Sequence, residues 1–252
     1  MALLEVNDLT KYYKDVLALN KINIDITKGE FVSVIGPSGS GKTTFIRCIN
    51  RLIDSSDGQI LFDDQNMLSL KGHKLRKARA KIGMIFQHYN LVTRLTVIEN
   101  VLHGRLGYKS TIEGVLGIYS EQEKQMAMEV LALVGLEDYA YRRCDQLSGG
   151  QMQRVGIARA LVQEPLLLLC DEPISSLDPG SAKIVMDYIR KVQQEYGITT
   201  LVNLHQVEVA KTYSDRILGF NKGNLVFDGT PPELDNESIY NIYGTEAYEL
   251  IN

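Results

Sequence analysis

A glycine-rich stretch near the N-terminus has the residue types and spacing of a phosphate-binding loop. Gly36–Thr43 fits the pattern G-x-x-x-x-G-K-[ST]. In such a loop the glycines let successive backbone N–H groups point inward at an anion, and the following helix adds its positive end. We expect the Lys42 ammonium to reach the β- and γ-phosphates and the Thr43 hydroxyl to hold Mg²⁺. The predicted nucleotide-binding residues here are Gly36, Pro37, Ser38, Gly39, Ser40, Gly41, Lys42, Thr43 and Thr44.

An alternative for the same residues is a glycine-rich turn from strand to helix that contains an ordinary lysine. The apolar run Phe31–Ile35 predicts a buried strand directly before the loop. Apolar residues at helical spacing, from Phe45 to Ile53, predict a helix directly after it. Because strand, loop and helix follow in the required order, the sequence favours binding of a nucleoside triphosphate.

Two adjacent acids, Asp171 and Glu172, follow the apolar run Leu166–Cys170. The run is typical of a central parallel strand, and ligands bind at the carboxyl ends of such strands. In enzymes with a phosphate-binding loop the first acid orients Mg²⁺, so we assign that role to Asp171. Glu172 is then placed as the general base for a water that attacks the γ-phosphate. A simple helix cap before Pro173 is the alternative, and the upstream loop makes it the weaker interpretation.

A second glycine turn, Leu147–Gln151, precedes another helical pattern that runs to Leu161. We call this stretch the Ser148 turn. A helix that begins at two glycines offers exposed N–H groups and is a second anion site. Since one triphosphate does not need two such sites in one chain, we predict a symmetric dimer. In that dimer each nucleotide lies between the loop of one chain and the Ser148 turn of the other.

The elements that must position these residues predict an α/β fold with a P-loop NTPase core. Residues 1–30 resemble short antiparallel strands, with Ile22, Ile24 and Ile26 alternating with polar residues, and Gly58–Asp63 resembles another edge strand. Residues 1–87 and 161–230 are assigned to the α/β core, and 88–160 to an inserted helical subdomain that carries the Ser148 turn. Residues 231–252 are assigned to a short C-terminal tail of one domain, 1–252.

Composition excludes several other classes of protein. The net charge of −4 gives no reason to expect nucleic acid as a partner, and the basic stretch Lys71–Lys81 lacks aromatic residues for base stacking. A solvated basic helix is the favoured interpretation of that stretch. The three cysteines are far apart, which suits a reducing cytoplasm and neither a disulfide framework nor a metal cluster. No apolar run approaches the ~20 residues that cross a bilayer, so we expect no transmembrane segment.

Taken in order, the motifs of this sequence resemble those of the ATP-binding-cassette ATPases. The resemblance covers residues 6–230 and rests on Gly36–Thr43, Gln87, Leu147–Gln151, Asp171, Glu172, Ser176–Asp178 and His205. It implies an ATPase that uses ATP and Mg²⁺, with Glu172, His205, Gln87 and Lys42 as its catalytic residues.

The resemblance also implies roles that the residues alone do not give. Tyr13 resembles the aromatic residue that stacks on adenine, although the neighbouring Tyr12 is a rival for that role. Gln87 resembles the glutamine that contacts Mg²⁺ and the attacking water, so the implied metal-site residues are Thr43, Gln87 and Asp171. His205 resembles the histidine that contacts the γ-phosphate.

The implied contacts across the dimer come from the second half of the chain. Ser148, Gly149, Gly150 and Gln151 resemble the signature residues that meet the partner's γ-phosphate. Asp178 resembles the loop aspartate that links the two sites.

Two stretches narrow the resemblance to the ATPase subunits of phosphonate importers, namely 85–107 and Val202–Val207. This implies uptake of phosphonate or a related phosphorus oxyanion through integral membrane permease subunits, fed by a periplasmic or extracellular solute-binding protein. The expected location is peripheral, at the cytoplasmic face of the bacterial inner membrane. Alternatives are an importer ATPase for amino acids or another anion, a nucleic-acid- or ribosome-associated ATPase of the superfamily, and a P-loop kinase or GTPase.

Overall fold

In the computed structural model, which describes residues 2–247, the chain folds into two units. Unit 1 contains the chain up to Leu70, the short segment Cys170–Glu172, and the chain from Val192 onward. Unit 2 contains Lys71–Leu169 and Pro173–Lys191. The domain boundaries predicted at 87/88 and 160/161 stay predictions.

An antiparallel sheet opens unit 1, with strands β1 (Ala2–Tyr13), β2 (Val16–Thr27), β4 (Asp57–Phe62) and β5 (Gln65–Asn66) in the order β2-β1-β4-β5. Residues along β2 alternate between exposed and buried, and Ile22, Ile24 and Ile26 face the core as predicted. The prediction of an edge strand at Gly58–Asp63 is wrong, because β4 pairs with β1 on one side and with β5 on the other. The two-residue β5 is too short to leave a hydrophobic pattern.

The second sheet of unit 1 is largely parallel and carries the phosphate-binding loop. Its strand β3 (Phe31–Ile35) pairs in parallel with β8 (Thr199–Asn203) and β9 (Arg216–Asn221), and β9 forms a hairpin with β10 (Asn224–Gly229). All residues of β3 and β8 are buried, as the nearly continuous apolar sequence of β3 predicts for that strand. The described part of this unit also contains the helices α1 (Lys42–Ile49), α8 (Val207–Tyr213) and α9 (Asn236–Tyr243).

Unit 2 is mostly helical, with β6 (Ile82–Ile85) beside β7 (Leu167–Asp171), whose last two residues belong to unit 1. Its helices are α2 (Gly72–Ala80), α3 (Val97–Leu102), α4 (Thr111–Leu116), α5 (Glu121–Leu133), α6 (Gly149–Leu161) and α7 (Pro179–Tyr196), whose last turns also belong to unit 1. Four of them begin with a capping box, in which a Ser or Thr hydroxyl accepts from the backbone N–H of a Glu or Gln three residues later, while that side chain accepts in return.

The described part of the C-terminal tail, residues 231–247, belongs to unit 1 and contributes to its core. In α9, Ile239, Ile242 and Tyr243 are buried. Among residues 2–247, no helix combines the length and the apolar character needed to span a membrane. The predicted fold class, an α/β P-loop core with an antiparallel β part and a helical part, is confirmed.

Candidate nucleotide site

The loop between β3 and α1 needs glycine at two positions, because the backbone of another segment comes close to the loop at each of them. Gly36 has φ of 146°, and a Cβ there would lie 2.1 Å from the carbonyl oxygen of Phe220. Gly41 has φ of 106°, and a Cβ there would lie 2.6 Å from the carbonyl oxygen of Ala18. Any larger residue would push the loop away from its supports. Strand, loop and helix thus occur in the order that the motif requires.

Distant parts of unit 1 hold this loop in place. The N–H of Gly223, in the β9–β10 turn, donates to the carbonyl of Ser40 (2.9 Å). The N–H of Gly36 donates to the hydroxyl of Tyr243 on α9 (3.2 Å). The Ser40 hydroxyl is buried and has no hydrogen-bond partner within the described chain, as suits a group beside a polar ligand. Sequence reasoning missed Tyr243, because nothing in the sequence links it to a loop 207 residues away.

Lys42 is buried and folds back over the loop. Its Nζ donates to the carbonyl oxygens of Gly36 (2.7 Å) and Pro37 (2.9 Å). Burial lowers the pKa of Lys42, and the negative charges of Glu172 and Asp171 oppose that shift. Its ammonium therefore lies against the backbone of the loop, where phosphate oxygens could exchange with the two carbonyls.

Asp171 lies at the end of β7 and is held at both carboxylate oxygens. Its Oδ1 accepts from the Thr43 hydroxyl (2.9 Å) and from the Asn203 amide Nδ2 (3.0 Å). Its Oδ2 accepts from Arg47, at 3.2 Å from Nε and 3.1 Å from Nη2. Only 3% of Asp171 is exposed, so these bonds compensate for the water it has lost.

Sequence reasoning missed both Arg47 and Asn203. Signals for them were present: Arg47 lies one helical turn after Thr43, and Asn203 is an amide that directly follows the apolar residues Leu201 and Val202.

The donors around Thr43 and Asp171 fit a magnesium ion. A hydroxyl and a carboxylate are the hard oxygen ligands that Mg²⁺ prefers, and protein sites usually add only one or two carboxylates to the substrate phosphates and waters. Within residues 2–247 there is no group of three His, Cys, Asp or Glu side chains that could hold a metal ion. One carboxylate and one hydroxyl fit a Mg²⁺ ion whose other ligands are phosphate oxygens and waters.

Glu172 has an unusual backbone conformation and a close histidine partner. Its φ is 53°, in the left-handed region that glutamate rarely occupies, and such strain concentrates at functional sites. The Nε2 of His205 lies 2.7 Å from Oε1 of Glu172, with the glutamate side chain 15% and the histidine side chain 40% exposed. A carboxylate and an imidazole in contact beside the loop can exchange protons with a bound water.

The Ser148 turn lies in unit 2 and begins α6. The Ser148 hydroxyl accepts from the N–H of Gln151 (3.3 Å), and Gln151 Oε1 accepts from the N–H of Ser148 (2.8 Å). A Cβ on Gly149 would lie 2.9 Å from the Tyr89 hydroxyl oxygen, and one on Gly150 would lie 3.0 Å from the Ser181 hydroxyl oxygen. The turn thus opens a helix with its first N–H groups unused by the helix itself.

Two other predicted site residues are also in unit 2. Gln87 is the second residue after the end of β6. In the same loop, Tyr89 and Asn90 both have positive φ. Arg159 of α6 donates to the carbonyl of Tyr89 (2.8 Å), which ties this loop to the helix that the Ser148 turn begins. Asp178 accepts from the N–H of Ser181 (3.0 Å), and hydrogen bonds from Ser181 lower the pKa of Asp178.

Tyr13 ends β1 with its side chain 43% exposed, and the Lys11 ammonium lies 5.1 Å from the centre of its ring. Tyr12 is similarly exposed, so exposure does not choose between them.

Unit 1 therefore brings together most of the predicted catalytic groups. Bonds within it join Lys42 to the loop, Thr43 to Asp171, and Glu172 to His205. Gln87, the Ser148 turn and Asp178 belong to unit 2.

With this geometry established, comparison with known proteins identifies the family. The family model described as ABC transporter matches residues 19–175. The chain belongs to this family, as the sequence motifs predicted, and it is an ABC-type ATPase.

Curated relatives match along nearly the whole chain. The phosphonates import ATP-binding protein PhnC 2 of Oceanobacillus iheyensis is 58% identical over 252 residues, covering 100% of this chain and 99% of that protein. The protein of the same name in Halalkalibacterium halodurans is 52% identical over 242 residues, covering 96% and 99%. Among solved structures, the dimeric post-hydrolysis state of the ATP-binding cassette MJ0796 with ADP and Pi is 36% identical, with a TM-score of 0.79 and coverage of 90% and 98%.

Proposed function

We propose that this protein is the ATP-hydrolysing subunit of an importer that takes up phosphonate or a related phosphorus oxyanion. One observation carries the catalytic part: a phosphate-binding loop lies in the same unit as an acid held by Thr43 and a strained glutamate held by His205. The identity of 58% to a phosphonates import ATP-binding protein, over the full length of both chains, supports the solute class.

In the proposed reaction, the loop N–H groups and Lys42 bind the phosphates of ATP, and Tyr13 stacks on adenine. Lys42 exchanges the carbonyls of Gly36 and Pro37 for phosphate oxygens. Thr43, Asp171 and Gln87 would hold Mg²⁺, which neutralises charge on the phosphates when bound.

Glu172 is the proposed general base. It accepts a proton from a water whose oxygen bonds to the γ-phosphorus, while the bond from that phosphorus to the β–γ bridging oxygen breaks. The products are ADP and phosphate, and the displaced electron pair stays on the bridging oxygen. His205 is placed by its contact with Glu172 to donate to the γ-phosphate.

The Ser148 turn requires a second copy of the chain in this proposal. Its helix N-terminus has no lysine or paired acid in its motif, so it suits the completion of a phosphate site better than the formation of one. The residues proposed to meet the partner's γ-phosphate are Ser148, Gly149, Gly150 and Gln151, and Asp178 is proposed to link the two sites. The dimeric state of the related MJ0796 cassette supports this arrangement.

Further partners are proposed to be integral membrane permease subunits and, indirectly, an external solute-binding protein. The exposed face of α4 supports a protein partner on unit 2. Ile112, Val115 and Leu116 of α4 are 73%, 80% and 66% exposed, and no residue of that helix is buried. Clustered exposed apolar side chains mark interaction surfaces. We place the protein peripherally, at the cytoplasmic face of the membrane that holds the permease.

Reconstitution tests this function. The purified protein, with the permease and binding protein encoded beside its gene, is placed in liposomes, and ATP hydrolysis is measured with different solutes. We expect hydrolysis to increase when the binding protein carries a phosphonate and to stay at the basal rate with amino acids. Stimulation by amino acids, or none by any phosphorus oxyanion, would reject the proposed solute class.

A further inference from the structure

A buried amide joins two of the groups proposed to hold the metal. Asn203 is the last residue of β8 and is fully buried. Its Nδ2 donates to Asp171 Oδ1 (3.0 Å) and to Thr43 Oγ1 (3.3 Å). The Thr43 hydroxyl in turn donates to the same Asp171 oxygen (2.9 Å). Three side chains thus form a closed triangle of three hydrogen bonds.

The chemistry of the triangle fixes the orientation of the amide. With the amide rotated by 180°, Asn203 Oδ1 would face a carboxylate oxygen, and two acceptors would repel each other. In the observed orientation Oδ1 is buried and lacks a partner among residues 2–247. A buried acceptor without a partner costs about 1–3 kcal/mol, which an apolar residue at this position would avoid. The amide therefore needs a reason at this position other than stability of the strand.

We propose that Asn203 is a positioning residue for the magnesium-bound nucleotide, an inference that rests on the proposed function of this site. By donating to Thr43 Oγ1, the amide directs the remaining lone pair of that hydroxyl toward the metal position. By donating to Asp171 Oδ1 it fixes the carboxylate without adding charge. Arg47 holds the other oxygen of Asp171 with a cation, which weakens the local attraction for Mg²⁺, and a neutral amide does not.

A second contact joins the residues that follow β7 and β8, namely Glu172 and His205. Asn203 contacts Asp171, and two residues further along the chain His205 contacts Glu172, the next residue after Asp171. The hydrogen bond from the Asn203 side chain to Asp171 therefore also fixes the end of β8, and with it the position of His205 relative to Glu172, the proposed base.

The test is a titration of Mg²⁺ with ADP as the probe, in wild type and in Asn203→Leu, which has the same number of side-chain heavy atoms and the same branching but no donor. A fluorescent ADP analogue reports binding in EDTA and at increasing Mg²⁺. We expect the Mg²⁺ concentration at half-saturation to rise about tenfold in the variant, the lower end of the effect of lost second-shell partners on metal affinity. Binding of the analogue in EDTA should stay within about twofold of wild type, since the triangle does not hold the loop amides.

Thr200→Val is the matched control. Thr200 is another fully buried polar residue of β8, and its hydroxyl donates to the carbonyl of Ile198 rather than to the site. This variant should titrate like wild type. If Asn203→Leu does not fold by circular dichroism, Asn203→Thr is measured instead, because a β-branched polar residue fits a strand and its hydroxyl is too short to span both partners.

Two results would overturn the inference: an unchanged Mg²⁺ midpoint, or an equal loss of binding in EDTA and in Mg²⁺, which indicates a structural role only. Failure of the proposed function looks different. In that case wild type itself would bind the analogue equally with and without Mg²⁺ and would not hydrolyse ATP.

Discussion

Two glycine turns open helices in this chain, and they are built in different ways. The helix α1 is preceded by Gly41 in the left-handed conformation, with no side chain capping it, and residues from two other parts of unit 1 support the loop. The helix α6 is preceded by Ser148 in an extended conformation, and its own Gln151 completes the cap. One turn depends on long-range contacts and the other on local ones.

The difference indicates a difference in task. The loop before α1 has a lysine, two acids and a buried hydroxyl close by, so it can bind a polyanion and act on it. The Ser148 turn has N–H groups and a hydroxyl but no charged group in its motif. We therefore infer that the first turn binds nucleotide by itself and that the second acts on nucleotide already bound elsewhere. Four variants, ordered by the size of the expected effect, test this inference.

Glu172→Gln should have the largest effect on hydrolysis, because it removes the proposed base and leaves both turns intact. We expect kcat for ATP hydrolysis to fall by about 10²- to 10⁴-fold, with nucleotide affinity nearly unchanged. Size-exclusion chromatography with ATP should show a stable dimer. Glu164→Gln is the control, since Glu164 is also a glutamate with positive φ and lies outside the site. Hydrolysis near the wild-type rate would remove Glu172 from its role.

Lys42→Ala tests the binding turn alone. Loss of charged hydrogen bonds to phosphate should weaken ATP binding by about 10- to 100-fold, measured by calorimetry on the monomer. Lys28→Ala, an exposed lysine of the same unit, should bind like wild type. Equal affinity in the two variants would contradict the assignment of Lys42 to the phosphates.

Ser148→Ala tests the second turn. It should lower hydrolysis about tenfold, as expected for one lost hydrogen bond to a charged group, while ATP binding to the monomer stays at the wild-type value. The loss of the cap should also cost about 0.5–2 kcal/mol of stability. Ser120→Ala removes the same kind of cap from α5 and is the matched control for that stability effect, with hydrolysis unchanged. If both variants hydrolyse ATP equally, Ser148 has only a structural role.

Tyr243→Phe tests the long-range support of the first turn and should have the smallest effect on nucleotide binding and hydrolysis. It leaves the N–H of Gly36 without its acceptor, at a cost of about 1–3 kcal/mol in unfolding free energy, measured with urea. Tyr196→Phe, a change at an exposed tyrosine, should cost nothing measurable. A Tyr243→Phe protein as stable as wild type would show that this bond does not support the loop.

The stability of wild type at high pH gives a separate measurement, which reports the burial of the same tyrosine. Burial raises the pKa of Tyr243 from its ordinary value near 10 to about 12. A raised pKa means that the folded protein holds this proton more tightly than the unfolded chain. This contribution is present below pH 10 and is lost as the pH rises toward 12. Tyr243→Phe lacks the contribution, so the stability of wild type relative to this variant should fall over that interval.

The sequence predicts those parts of the site whose residues are consecutive in the chain. The loop at 36–43 and the two acids Asp171 and Glu172 are local patterns of this kind, and their burial follows from the adjacent apolar runs. The bond from Gly36 to Tyr243 depends instead on how α9 packs, and no local pattern records it. Asn203 lies between these cases. It is an amide that follows Leu201 and Val202 and precedes His205 by two residues, but its partner Asp171 becomes evident only when β8 and the end of β7 lie side by side.

The contact between His205 and Glu172 has a consequence for the enzyme when no ATP is bound. While the imidazole is bonded to the carboxylate, the proposed base has one of its oxygens occupied. A γ-phosphate that draws His205 to itself would release that oxygen for water at the moment a substrate is present. ADP has no γ-phosphate and would leave the pair joined. The contact would thus keep the proposed base blocked until ATP is bound, because the γ-phosphate that hydrolysis removes is also the group that frees Glu172.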